Sequence, residues 1–220
     1  MLLIQLGLMA IGVSAQNRAG SGSDSNSVVP QDRNAVPLYF SIMVLEGGLV
    51  VLVRRGVNAQ GIRLADLVGG GWRTWKDAGR DVALAVPFLL VWFWVARLLH
   101  RIGGPDQAKS IGNLLPQSTS EVVMWIALSI SAGVCEEIVF RGYFQRQFAA
   151  YTNSMIAAVV LQGVVFGLGH SYQGLKQVVI ISVLGMLYGW FAAWRRSLRP
   201  NMIAHAWTDI WSGWLSGVLR

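Results

Sequence analysis

The chain has 220 residues, of which 54% are apolar and only 13% charged, with ten Trp and a net charge of +7. A water-soluble domain usually carries about 25% charged residues, so the composition excludes an ordinary soluble fold and puts a single domain in lipid. The positive charge does not point to nucleic acid, because the Lys and Arg residues cluster at the ends of apolar runs, as bilayer anchoring requires. A single cysteine, Cys135, excludes an internal disulfide framework and a Cys-rich zinc site.

Residues 1–15 are apolar but short of the roughly 20 needed to cross a bilayer. They lack a basic start, yet Val13-Ser14-Ala15 resembles a cleavage site, so a signal peptide and a truncated first helix are both open. Residues 16–35 are small and polar and read as a linker. A span over 36–53 stops at Arg54-Arg55, and a basic, Gly-rich stretch follows to Arg80, with Trp72 and Trp75 suited to the headgroup layer. Further spans are expected near 82–99, from 120 past 140, and over 154–169, 177–194 and 201–219. This divides the chain into an N-terminal segment and linker (1–35), a transmembrane region with a basic cytoplasmic loop (36–118), and a membrane core (119–220). The fold expected is an all-α polytopic transmembrane helix bundle of about six or seven spans.

One set of loops holds Arg54, Arg55, Arg63, Arg73, Lys76, Arg80, Arg141, Arg146, Arg195, Arg196 and Arg199, and the opposite set holds Arg18, Arg33, Arg101, Lys109, Lys176 and Arg220. Eleven against six places the first set in the cytoplasm.

Several ionisable residues lie where hydrocarbon should exclude them. Glu136, Glu137 and Arg141 fall in one apolar run, His170 closes another, and His205 and Asp209 sit in the last. Each costs at least about 2.5–3.5 kcal/mol at membrane depth, so each needs a partner or a task. In an α-helix Glu137 and Arg141 are neighbours at i and i+4. Glu136 then points about 140° away from Arg141, free to face something else. A solvated helix end is the alternative, opposed by Ile138, Val139, Phe140 and Tyr143, which keep the segment apolar. Phe166 and His170 share a helical face, and Gly163, Gly167 and Gly169 permit close helix approach or a kink. His205 and Asp209 project together, and an Asp beside a His can fix its tautomer or ligate a metal. Carboxylates and imidazoles are the groups that activate water, with or without a metal. Cys135 in apolar surroundings is unreactive, and Trp207, Trp211 and Trp214 suit packing or lipid.

The depths do not match in straight helices. With Ser154 at the cytoplasmic face, His170 lies about 24 Å deep and His205 only about 6 Å from its own end. A kink, a strong tilt or a span that starts deeper must bring them together.

In order, EExxxR, FxxxH and HxxxD resemble the three motifs of the CPBP intramembrane proteases, the CAAX-protease and bacteriocin-processing enzymes also called the Abi family. The resemblance covers about residues 121–217, and Arg141-Gly142-Tyr143 is similar to the step that follows the family's arginine. The third motif often ends in Asn in the CAAX-processing branch, and Asp209 stands there instead. The resemblance implies an intramembrane endopeptidase of a prokaryotic plasma membrane acting on a peptide or protein substrate in or at the bilayer. Glu136, His170, His205 and Asp209 would surround a water, and Glu137 and Arg141 would orient the site. In a metal version His170 and His205 bind zinc and Glu136 is the general base. In a metal-free version Glu136 and His170 activate water while His205 and residue 209 stabilise the oxyanion. Asp209, a poor donor when ionised, favours metal. The rival from another class is a non-catalytic transporter or immunity-type binding protein, though no inverted repeat supports a transporter.

Overall fold

A computed structural model describes residues 34–102 and 115–218, with side chains to residue 213. Every regular element among the described residues is helical. The reading of residues 1–15 as signal peptide or helix, and most of the linker, lies outside the described residues.

Helix α1 (Val36–Asn58) opens with Pro in its first turn and closes with Arg55 in its last. Its start is pinned from afar: the Ala35 N–H donates to Glu121 Oε1 at 2.8 Å. A short helix α2 (Leu64–Val68) is capped by Asp66, which accepts from the Arg63 backbone and side chain. Helix α2 ends at Gly69, whose φ of +88° favours glycine. A Cβ there would also lie 2.8 Å from the Arg196 carbonyl oxygen. Helix α3 (Trp75–Ile102) starts behind a Thr74–Asp77 cap and carries Pro87 inside. In its most apolar window only 6% of residues are buried, so α3 rides on the bundle's edge with Leu90, Phe93 and Trp94 facing outward.

Helix α4 (Thr119–Glu136) begins at Ser118, whose hydroxyl accepts from the Glu121 N–H. It runs without a break through a π-helical stretch (Glu137–Phe144) into α5 (Gln145–Thr152). Asn153, in the left-handed region at φ 52°, ends that run. Helix α6 (Met155–Leu168) has 14 residues, about 21 Å at 1.5 Å per residue, and is too short to cross the roughly 30 Å core. A 3-10 turn (Ser171–Gln173) leads to α7 (Leu175–Arg195), and α8 (Arg199–Val218) completes the bundle.

The expected polytopic bundle is what the chain forms. Four helical segments among the described residues are long and apolar enough to span: Val36–Asn58, Trp75–Ile102, Thr119–Thr152 and Leu175–Arg195. The stretch expected to span over 154–169 is shorter, and α8 packs against α4 and α3 with polar residues on it. One cluster joins Val53 and Val57 of α1 and Leu67 of α2 to Ile138, Val139, Phe140, Phe166, Ala192 and Leu198. A second joins Ala85, Leu184, Tyr188 and Ala204 across α3, α7 and α8.

Three of the basic residues are located by their contacts, and a fourth departs from the loop pattern. Arg146 donates to the Leu67 carbonyl and Arg199 to the Gly71 carbonyl, so the α2 region, the start of α5 and the start of α8 meet on one side of the bundle. Lys176 instead donates to the His100 carbonyl at the other end. Arg141, which the sequence pattern groups with the loops, departs from it: its side chain is 0% exposed and lies in the interior. An ion pair, not water, holds it there.

Candidate functional site in the membrane core

The site is built on a widened helix. Residues 137–144 form a π-helix, closed by the Gln145 N–H donating to the Phe140 carbonyl, rather than the α-helix expected from the sequence. Such single-turn widenings inside α-helices are rare and frequent at functional sites. The Glu137–Arg141 contact survives the change of pitch: Arg141 Nη1 donates to Glu137 Oε1 at 2.8 Å, with both side chains 0% exposed. Arg141 Nη2 donates to the Gly185 carbonyl at 3.3 Å, and the guanidinium lies over the rings of Phe166 (4.3 Å) and Tyr188 (5.1 Å). Those faces are electronegative and help hold a desolvated cation.

Glu137 is the hub. Besides Arg141, its Oε2 receives Asn201 Nδ2 at 3.1 Å and its Oε1 lies 3.0 Å from His205 Nδ1. Asn201 and Arg141 both donate, so Glu137 acts as an acceptor, and its partner on His205 is an Nδ1–H. His205 is thereby fixed in orientation, and its ring stacks on Tyr188 at 5.2 Å. The opposite nitrogen, Nε2, lies 3.6 Å from Glu136 Oε2 and 3.7 Å from Asp209 Oδ2. Glu136 keeps 20% of its side chain accessible and Asp209 34%, against none for Glu137. The two adjacent glutamates therefore differ as expected: Glu137 is enclosed, and Glu136 reaches open space.

Close helix approach makes this possible. A Cβ on Gly133 would lie 2.8 Å from both the Ala206 nitrogen and the Met202 oxygen, so α4 and α8 touch backbone to backbone one turn from Glu136 and Glu137. Trp125 Nε1 donates to the Asp209 carbonyl at 2.9 Å and fixes the register further along the same seam.

The start of α8, which carries His205 and Asp209, is buried in the protein. Ser197, Leu198, Pro200 and Asn201 are buried. Residues 68–71 cover them: the Val68 carbonyl accepts the Leu198 N–H at 2.9 Å, and Arg199 pairs with buried Asp81 at 2.9 Å. Asn201 also donates to the Tyr188 carbonyl at 2.8 Å, tying the start of α8 to the interior of α7. The start of α8 is thus enclosed by protein on every side that these contacts reach.

His170 stands apart from the other expected residues. It follows the end of α6, and its Nδ1 lies 2.9 Å from the Phe166 carbonyl, which can only accept. Phe166 separates the two histidines, with ring centroids 4.9 Å from His170 and 5.9 Å from His205. The structure thus brings Glu136, Glu137, Arg141, His205 and Asp209 into direct contact and sets His170 one aromatic ring away. Trp207 and Trp211 are exposed on α8, while the Trp214 side chain lies outside the described residues. Cys135 is half-buried beside Glu136, with Ser131 Oγ 3.8 Å from its sulfur.

Sequence reasoning missed Asn201 and Glu46. Asn201 stands one helical turn before His205, on the same face, but an Asn after a Pro reads as a turn residue. Glu46 was the more visible signal, an acid inside the first apolar span.

Both histidines present the arrangement that suits Nε2 as a metal ligand, with Nδ1 held by an acceptor. The set does not close around an ion, however: among the described residues no three His, Cys, Asp or Glu side chains are grouped to hold one.

Residues 118–211 match the family described as type II CAAX prenyl endopeptidase Rce1-like. No curated protein and no solved structure matches the chain. The matched segment contains every member of the expected site. That match, over 118–211 only, is consistent with the CPBP/CAAX protease family.

Proposed function

We propose that this protein hydrolyses a peptide bond within or at the membrane, using a water activated by Glu136. The observation that supports this most is the division of labour between the two adjacent glutamates. Glu137 is fully occupied with Arg141, Asn201 and His205, while Glu136 is accessible and faces His205 Nε2.

In this scheme Glu136 takes a proton from water as the new C–O bond forms and the carbonyl electron pair moves onto oxygen. His205, gripped through Nδ1 by Glu137, carries a proton on Nε2 toward that oxyanion. Preorganised donors of this kind stabilise the charge that develops in acyl transfer and contribute much of the rate enhancement. Glu136 then returns its proton to the leaving nitrogen as the C–N bond breaks. His170, with Nδ1–H spent on the Phe166 carbonyl, has its Nε2 lone pair left to accept from an amide N–H of the substrate. Asp209 holds His205 from the far side and does not donate while ionised.

Zinc on His170 and His205, completed by Glu136 or Asp209, is the other source of nucleophile that these residue types allow. It would require the side chains to draw closer. The setting we propose is the plasma membrane of a prokaryote. Candidate substrates are prenylated tails, leader-bearing peptides and the transmembrane segment of a regulator. The test is a panel of quenched-fluorescence peptides of these three kinds, incubated with purified protein in detergent, with metal analysis of the same sample. Cleavage of at least one class, abolished in Glu136→Gln, is the expected result. No cleavage of any class would overturn the proposal.

A further inference from the structure

Glu46 sits in the middle of α1, outside the family-matched segment, and is 8% exposed. Its Oε2 accepts from Ser131 Oγ of α4 at 2.9 Å, and its other oxygen has no hydrogen-bond partner among the described residues. No Lys or Arg pairs with it there; the charges it feels are those of Glu136, His205 and Asp209. A structural position inside a span would be better filled by an apolar residue, because a buried acid without a cation is costly.

The surroundings give this acid a task. Glu46 and Leu49 of α1 form one wall of a small pocket, and Cys135, Glu136, Val139 and Phe140 form the other. The pocket has room for about one water molecule. Two carboxylates thus share a water-sized space whose remaining walls are largely apolar.

We propose that Glu46 is a further catalytic residue, which together with Glu136 holds the attacking water, each carboxylate accepting one of its two O–H groups. The proposal rests on the reading of Glu136 as general base. A water with both hydrogens engaged turns its lone pairs to the open side, toward the substrate carbonyl. Glu136 removes one proton as the C–O bond forms. Glu46 keeps its hydrogen bond to the other O–H, so the hydroxyl is delivered in a fixed orientation. Ser131 aims Glu46, and Leu49, Val139 and Phe140 limit the space for competing waters.

The experiment uses the purified full chain in detergent and a quenched-fluorescence peptide ending in a prenylated CAAX tail. Glu46→Gln is expected to lower kcat by roughly 10²-fold, the loss typical of a misplaced reactant, with KM nearly unchanged. Glu46→Leu should show the same loss of kcat with a Tm equal to or above wild type, which an anchoring role would not produce. Ser131→Ala should lose less, because Glu46 remains present but is less well aimed. Wild-type kcat in Glu46→Leu, alongside an inactive Glu136→Gln, would overturn the role of Glu46 and leave the peptidase reading intact. A raised KM with unchanged kcat would overturn it as well, by assigning Glu46 to substrate binding. Failure of the wild-type chain to cleave the peptide would remove both the peptidase reading for this substrate class and the inference built on it.

Discussion

Replacing Glu137 by Gln removes a charge and an acceptor from a position with no access to water. Arg141, with 0% of its side chain exposed, then has no counter-ion. The amide cannot satisfy its neighbours either. Arg141 and His205 approach Oε1 while Asn201 approaches Oε2, so either orientation sets the new NH2 against a donor. Breaking a buried ion pair from one side costs about 3–5 kcal/mol, and an unsatisfied buried donor adds about 1–3 kcal/mol. Folded domains hold only about 5–15 kcal/mol. At about 2–4 °C per kcal/mol for a chain of this size, Tm should fall by roughly 10 °C or more. Adding Arg141→Met removes the stranded cation and puts a flexible apolar side chain between Phe166 and Tyr188, which should recover much of that loss. Activity should not return, because His205 still lacks its acceptor. With ten Trp, the protein reports its own unfolding by intrinsic fluorescence in detergent. An unchanged Tm in Glu137→Gln would refute the hub, and so would a double variant no more stable than the single one.

Gly133→Ala should destabilise by about 1–3 kcal/mol through overpacking, since its Cβ meets backbone atoms of Ala206 and Met202 that cannot rotate away. Activity should fall with it as α4 and α8 separate, measured by Tm and cleavage together. Asp81→Asn removes the counter-charge of Arg199, which keeps its hydrogen bonds to the Gly70 and Gly71 carbonyls. A loss of about 1–3 kcal/mol is expected, less than for Glu137 because Arg199 is not fully buried, and protease nicking between residues 69 and 74 should rise. His205→Ala and His170→Ala should both lose activity. Bound transition metal in wild type, lowered in each variant and removed by a chelator with loss of activity, would establish the zinc route. Activity that survives chelation would establish the direct one.

The spans and the chemistry of the motifs were legible because each rests on local pattern. An apolar run ended by Arg54-Arg55 and an acid pair inside a greasy segment both declare themselves within a few residues. The separation of Glu136 from Glu137 also followed from helical geometry, although the π-helix that carries it was hidden. The neighbours packed against that stretch come from distant sequence, such as Leu198, whose Cδ1 lies 3.2 Å from where a Gly142 Cβ would be. The buried start of α8 could not be read either, because it depends on Val68, Gly71 and Asp81 arriving from more than a hundred residues upstream. Loops full of Arg look solvated in sequence, and Arg199 is held by one such tertiary arrangement. Arg141 was legible as a partner of Glu137 yet also fitted the loop pattern; only burial distinguishes the two. Glu46 carried a local signal, but its relation to Glu136 runs between α1 and α4, where no spacing rule applies.

The most direct measurement is the kcat of purified wild-type and Glu136→Gln protein on the peptide panel, with Tm recorded for both. Wild type should cleave, and the variant should lose roughly 10²–10⁴-fold, the range for general acid–base catalysis, at an unchanged Tm. Equal turnover by the two proteins would contradict Glu136 as the base.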